Sequence, residues 1–303
     1  MPFNLESLTN FTFPESRQTY TQRDTILYAL GIGLGSDPVD PDQLRFVYEQ
    51  GLEAFPSMAV VLAHPGFWAA ESALGIDWVR MLQGEQGLTL YRAIPVEGDV
   101  IGRSRIRDVI DRGPEKGAIL YYERDVVDAA TDELIATVRQ TLMCRGNGGF
   151  SPERRAPRAV HPIPARAPDR VVTVRTLPQA ALIYRLSGDV NPLHADPEVA
   201  RKAGFERPIL HGLATYGVIV RALLECGCNW QTERLRELDL RFSSPVYPGE
   251  TIRCDFWNSG DVISVRATVV ERDRLVVDNG RARVVAGTAD MIAVERHRTA
   301  AVG

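Results

Sequence analysis

The sequence predicts an α+β chain made of two related halves, each an antiparallel sheet wrapped around a long central helix. Three observations carry that expectation. Similar segments recur at an offset of about 150 residues along the 303-residue chain. One long apolar segment with helical spacing, HGLATYGVIVRALLECG (211–227), stands in the second half. After it come several strand-like runs separated by turns rather than by helices, as a sheet around one helix requires.

The elements follow in order. QRDTILYALGIG (22–33) has a polar opening, an apolar helical stretch, Tyr28-x-Leu30 and a glycine-rich break; PQAALIYRLSGD (178–189) repeats that plan. IPVEGDVI (94–101) echoes SPVYPGETI (244–252), with one residue inserted. ERDVVDAATDELIATVRQTLMCRG (123–146) matches ERDRLVVDNGRARVVAG (271–287), both β-rich runs broken by a polar turn. Between the halves, GNGGFSPERRAPRAVHPIPARAPDR (146–170) carries Pro152, Pro157, Pro162, Pro164 and Pro168, which remove donors and fix φ, so it reads as a surface linker. The expected organisation is a first domain over 1–145, a linker over 146–170 and a second domain over 171–303. In the second half the strand runs are RELDLRFSSPV, ETIRCDFWNS, VISVRATVVER, RLVVDNG and RARVVAGTADMIAV, with turns at Pro248-Gly249, Ser259-Gly260 and Asn279-Gly280. Gly227 is expected to cap the long helix.

Composition excludes some functions. A net charge of −4 gives no basic footprint for nucleic acid. No apolar run reaches the ~18 residues that span a bilayer. The start, MPFNLESLTNFTFPESRQ, lacks a basic region followed by an apolar one, and the end, TAAVG, is unlike a Ser-Lys-Leu address. Cys144, Cys226, Cys228 and Cys254 lack metal-ligand spacing and read as unpaired thiols in a reducing cytoplasm. A cytoplasmic location is therefore expected. His64 reads as a turn residue, while His161 and His297 read as solvated, and Arg154, Arg155, Arg158 and Arg166 as a solvated basic run.

The chemistry concentrates in DVNPLHADPEVARKAGF (189–205). Asn191-Pro192 and Asp196-Pro197 are cap and first-turn pairs, and Gly204 can end the second short helix. Gly188 allows close backbone approach beside Asp189. Asp189 and His194 form a carboxylate–imidazole pair that the first half lacks: Ile32-Gly33 stands where the second half has Gly188-Asp189. Residues needed only for folding would be kept in both copies. His211-Gly212 opens the long helix, where free N–H groups can stabilise an oxyanion. A carboxylate, an imidazole and an oxyanion donor suit addition of water across an activated double bond. A two-histidine-one-carboxylate metal set of Asp189, His194 and His211 is the competing reading, but hydration of this kind calls for no metal.

YRLSGDVNPLHADPEVARKAGFERPILHGLATYG resembles the signature of the MaoC-like hydratase 2 family of enoyl-CoA hydratases. The first half's YTQRDTILYALGIGLG, LRFVYEQGLEAFPSMAVV and MLQGEQGLTLYRAIP, and RFSSPVYPGETI in the second, resemble the hydratase portion of peroxisomal multifunctional enzyme type 2. The resemblance implies a double hot-dog fold and reversible syn hydration of trans-2-enoyl-CoA to (R)-3-hydroxyacyl-CoA, a lyase activity of fatty-acid β-oxidation. It implies that Asp189 and His194 are the catalytic pair, that Asn191 supports them and that the Gly212 N–H lies in the oxyanion hole. Val190, Pro192, Leu193 and Phe242 would line the acyl-CoA site. Gln83, Gly84 and Arg112 fall where the family contacts its ligand; Gln83 replaces a histidine and Arg112 a lysine. No cofactor is implied, because coenzyme A is part of the substrate, and a homodimer is a reasonable assembly. A hot-dog acyl-CoA thioesterase and a non-catalytic acyl-CoA-binding protein are the alternatives.

Overall fold

The computed structural model describes residue 3, residues 5–153 and residues 155–285. Among these residues ten strands form one antiparallel sheet. They are β1 (Ser16–Tyr20), β2 (Met81–Leu90), β3 (Gly98–Asp111), β4 (Ala118–Asp128), β5 (Leu134–Cys144), β6 (Arg170–Arg175), β7 (Leu235–Phe242), β8 (Thr251–Ser259), β9 (Val262–Val269) and β10 (Arg274–Val284). Their order is β1-β3-β4-β5-β2-β7-β10-β9-β8-β6. The order reads as five strands and their mirror image, joined where β2 pairs with β7 through Gln86↔Leu240 and Leu88↔Leu238. The duplication expected from the sequence is thus visible as topology, and the two expected sheets run together as one.

Among the described residues six helices accompany the sheet: α1 (Leu5–Thr9), α2 (Gln22–Gly31), α3 (Pro41–Leu44), α4 (Ala180–Tyr184), α5 (Pro197–Lys202) and α6 (Gly212–Gly227). From Leu213 to Leu224 every residue of α6 is buried, so the helix is enclosed on all sides, packing against β2, β6, β7 and β8. The first half departs from the expectation here, because it has no long central helix. The 3₁₀ turn Pro56–Val60, all five residues buried, packs against α6, β2 and β5 instead. Beyond the turn Ala63 is left-handed, with φ 47°, and Pro65 brings no donor, so the segment does not run on as a helix.

The halves interlock through equivalent residues. Tyr28 of α2 and Tyr184 of α4, the shared Tyr-x-Leu tyrosines, pack with ring centroids 5.8 Å apart. Gly217 of α6 lies so close to α2 that a Cβ there would sit 2.5 Å from Ile32 Cγ2. Arg221, buried on the same helix, donates to Gly33 O, Ser36 Oγ and Gln43 Oε1 in the first half.

Some local expectations need correction. ERD at 123–125 lies inside β4, whereas ERD at 271–273 is the β9–β10 turn, so those segments match in composition but not in position. Asn279-Gly280 is a bulge within β10 rather than a hairpin turn: the register shifts on both sides of it, and Asn279 has φ 56°. Gly227 is the last helical residue, and the left-handed positions that end the helix are Asn229 and Trp230. The linker is not merely solvated. Arg155 binds Asp108, Arg158 lies 4.1 Å over the Tyr121 ring, and His161 Nε2 bonds Ser264 Oγ at 2.8 Å. All four cysteines are unpaired. Arg154, His297 and the part of the last strand-like run beyond residue 285 lie outside the described residues.

Candidate active site

The segment between α4 and α6 is shaped by its own short polar side chains. Gly188 has φ +116°, which only glycine adopts at little cost, yet nothing lies within 4 Å of where its Cβ would be. It makes the turn, and no other protein segment approaches it closely. Asp189 Oδ1 accepts from Asn191 N–H at 3.2 Å, and Asn191 Oδ1 accepts from Leu193 N–H at 3.0 Å, starting the 3₁₀ turn Pro192–His194. Asp196 caps α5, and Gly204, at φ +88°, follows that helix as expected.

These turns carry His194 into a buried place against His211. His194 Nδ1 lies 2.8 Å from Ile209 O, and His211 Nε2 lies 3.1 Å from Asp189 O. A carbonyl can only accept, so each of those ring nitrogens carries the hydrogen. The neutral His194 ring therefore keeps its lone pair on Nε2, and His211 keeps its lone pair on Nδ1, which is buried without a partner. The two rings stack with centroids 3.8 Å apart and planes at 26°. Donor atoms of Asp189, His194 and His211 all lie within 4.8 Å of one another. Stacked rings point their in-plane lone pairs side by side rather than at one point, which suits holding a water better than gripping a metal ion.

Burial pushes the His194 pKa below the usual imidazole range, against the pull of its Ile209 bond and the Asp189 charge. Burial and the neighbouring His194 push His211 down to about 4. The unfolded chain therefore takes up a proton near pH 6.5, before folded His211 does. Its contribution to stability is full above that pH and is lost as pH falls toward 4, by up to about 3 kcal/mol. Denaturant titrations from pH 7.5 to 4.5 should show this decline, shallower in His211→Gln; an equal slope in both proteins would contradict it.

Gly212 is the first residue of α6 and is exposed between buried His211 and Leu213. Its N–H is among the donors a helix start leaves free. Phe242 borders it: a Cβ on Gly212 would lie 3.6 Å from Phe242 Cζ. The β2–β7 pairing ends at Glu85↔Arg241, one residue from Phe242 on β7 and from Gly84 on β2. Gln83 is next to it, at a bulge against β5, with its Nε2 donating to Gln86 Oε1 at 2.8 Å. Val190, 63% exposed, and Pro192 are exposed between Asp189 and His194, and Leu193 is half-buried. Arg112 lies in the β3–β4 turn, its N–H bonded to Gly117 O at 2.9 Å.

Two site features were not legible in the sequence. His211 holds the Asp189 backbone and stacks on His194, a double role that adjacency to Gly212 does not reveal. His64, from the first half, keeps its expected turn bond, accepting from Gly66 N–H at 3.2 Å. It also lies within the electrostatic reach of Asp189: burial and the Arg124 charge push its pKa down to about 4, against the Asp189 charge. Its ring keeps solvent contact although protein atoms crowd it.

Comparison with known proteins adds a family. A model described as MFE-2 hydratase 2 N-terminal domain matches residues 18–146, and one described as MaoC like domain matches residues 159–280. The chain is 37% identical to the peroxisomal enoyl-CoA hydratase 2 of Arabidopsis thaliana, over 91% of this chain and 94% of that protein. It is 35% identical to the mouse peroxisomal multifunctional enzyme type 2, over 88% of this chain and 36% of that longer protein. A MaoC-like dehydratase structure from Phytophthora capsici superposes with a TM-score of 0.82 at 32% identity, over 94% of this chain and all of that one. No helix among the described residues is long and apolar enough to cross a membrane.

Proposed function

The chain belongs to the MaoC-like hydratase 2 family, with a double hot-dog fold, and we propose that it catalyses reversible syn hydration of trans-2-enoyl-CoA to (R)-3-hydroxyacyl-CoA at Asp189, His194 and Gly212. The observation that carries the mechanism is the His194 tautomer fixed by Ile209 O, which leaves Nε2 bare on a ring grouped with the Asp189 carboxylate and His211, their donor atoms within 4.8 Å of one another.

Neutral His194 takes one proton from a water as the water oxygen adds to C3. The Asp189 carboxylate accepts the other O–H and faces the imidazolium that forms. Electron density moves to the thioester oxygen, which the Gly212 N–H holds. The Nε2–H then returns its proton to C2 on the same face, so one whole water is added. His211 keeps the Asp189 backbone and the His194 ring in place. Asn191 spends its side-chain oxygen on shaping the loop. Phe242, Gly84, Gln83, Val190, Pro192 and Leu193 border the acyl-CoA, and Arg112 is the proposed outlying contact to its coenzyme portion. Coenzyme A belongs to the substrate, and the reaction draws on no separate cofactor.

Loss of enoyl absorbance without release of free CoA tests this reading. Free CoA would favour the thioesterase alternative, and binding without turnover the non-catalytic one.

The divided chain supports roles for its parts. The second domain (171–303) carries the catalytic groups, and the first (1–145), joined through 146–170, contributes room for the acyl chain. Good turnover of C8–C16 enoyl-CoAs is expected across a chain-length panel; activity confined to C4 would sink it. A homodimer is the proposed assembly, and a monomeric mass in light scattering would remove it. Relatives are peroxisomal by name, so a cytoplasmic location remains a proposal that fractionation of the source cells would decide.

A further inference from the structure

The bond that fixes the His194 tautomer does not end at Ile209. The Ile209 carbonyl shares a peptide group with Leu210 N–H, which donates to Val246 O at 2.7 Å. The Val246 carbonyl in turn shares a peptide group with Tyr247 N–H, which donates to Glu250 Oε2 at 2.7 Å. With His194 Nδ1 donating to Ile209 O at 2.8 Å, three hydrogen bonds run in one direction from the imidazole to a carboxylate. An amide whose N–H donates becomes a better acceptor at its oxygen, so such bonds strengthen one another. His194, Leu210, Val246 and Glu250 are all buried, where water screens the chain little.

The β7–β8 turn holds the carboxylate in place. Arg272 pairs with Glu250 through Nε at 2.5 Å and Nη2 at 2.9 Å, which compensates the buried charge. The Arg272 and Arg207 guanidiniums each lie 5.0 Å from the centroid of the Tyr247 ring. The first half, which lacks the Asp189–His194 pair, uses the matching turn differently. Val96 stands in the place of Val246, and its carbonyl accepts from Thr25 Oγ1 at 2.7 Å. Asp99 stands in the place of Glu250, is exposed and accepts from the Thr19 hydroxyl.

We propose that Glu250 is a positioning residue for hydration, acting on His194 through the two peptide groups between them. This rests on the hydratase reading above. The carboxylate end of the chain strengthens the bond between Ile209 and His194. That bond keeps Nε2 bare and steadies the positive charge the ring takes on when it accepts a proton. No proton moves along the chain, and Glu250 touches no substrate.

Glu250→Gln in the full chain tests this, with a trans-2-enoyl-CoA as substrate and a melting curve as the check on folding. Glutamine can still accept from Tyr247 N–H but carries no charge. kcat should fall by about tenfold with KM little changed, as when the partner behind a functional histidine is lost. The acid limb of kcat/KM should move to lower pH, because the ring takes up its proton less readily. Asp189 and His211 beside His194, and Arg272 beside Glu250, are the same in both proteins. An acid limb that stays in place in a folded Glu250→Gln would overturn the proposal, since a merely structural loss lowers the rate without moving the limb. Should that variant not fold, an ester in place of the amide between Ile209 and Leu210 removes the Leu210 N–H and keeps every side chain. It should move the limb the same way, and an unmoved limb would overturn the proposal. A wild-type protein that hydrates no enoyl-CoA would overturn the proposal together with the hydratase reading.

Discussion

Gly212→Pro is expected to lower kcat for enoyl-CoA hydration by about 10²- to 10³-fold, the usual worth of one oxyanion donor, with little loss of stability. Proline deletes one N–H and little else at this position. The first residue of a helix tolerates proline, since its N–H has no partner inside the helix. His211, with φ −56° and ψ 139°, already has the extended backbone that proline requires of the residue before it. Space is available, because the nearest heavy atom to a Cβ there is 3.6 Å away. Steady-state kinetics with a melting curve provide the check. A near-native kcat in a folded Gly212→Pro protein would place oxyanion stabilisation elsewhere.

His194→Gln and Asp189→Asn should each lower kcat by at least ~10²-fold. Glutamine at 194 offers an amide where a basic nitrogen is needed. Asparagine at 189 can still accept from Asn191 N–H, so the loop should keep its shape while losing the charge that faces the imidazolium. In wild type the acid limb of kcat/KM should fall below the ordinary histidine value of about 6.5, because burial holds His194 neutral to lower pH. That limb should vanish from the residual activity of His194→Gln. Near-full activity in either folded variant would refute the assignment.

Much of the site was legible because its segment is local. Asx turns, proline first turns and a positive-φ glycine are written in consecutive residues, so GDVNPLH predicts its own shape. The comparison with YALGIG then separated Asp189 and His194 from residues the fold needs in both copies. What the sequence hid depends on meetings between distant segments. The stacking of His194 on His211 spans seventeen residues of chain, and His64 reaches the Asp189 neighbourhood from the other half.

The fold shows the same division. The apolar α6 and the repeat offset disclosed the architecture, because all-round burial and duplication leave one-dimensional traces. The missing long helix of the first half left no such trace, because the repeat implies one in both copies. Asn279-Gly280 has the residues of a hairpin turn, but pairing of β10 with both β7 and β9 absorbs them as a bulge. Buried Arg124 is invisible in sequence because alternation along β4 places a charge where an apolar residue would be expected.

The most direct test of the central claim is hydration of a trans-2-enoyl-CoA in D2O, with chiral analysis of the product. The account predicts (R)-3-hydroxyacyl-CoA with one deuterium at C2 on the same face as the new C3 oxygen. An (S) product, or deuterium on the opposite face, would contradict a single water held and returned by Asp189 and His194.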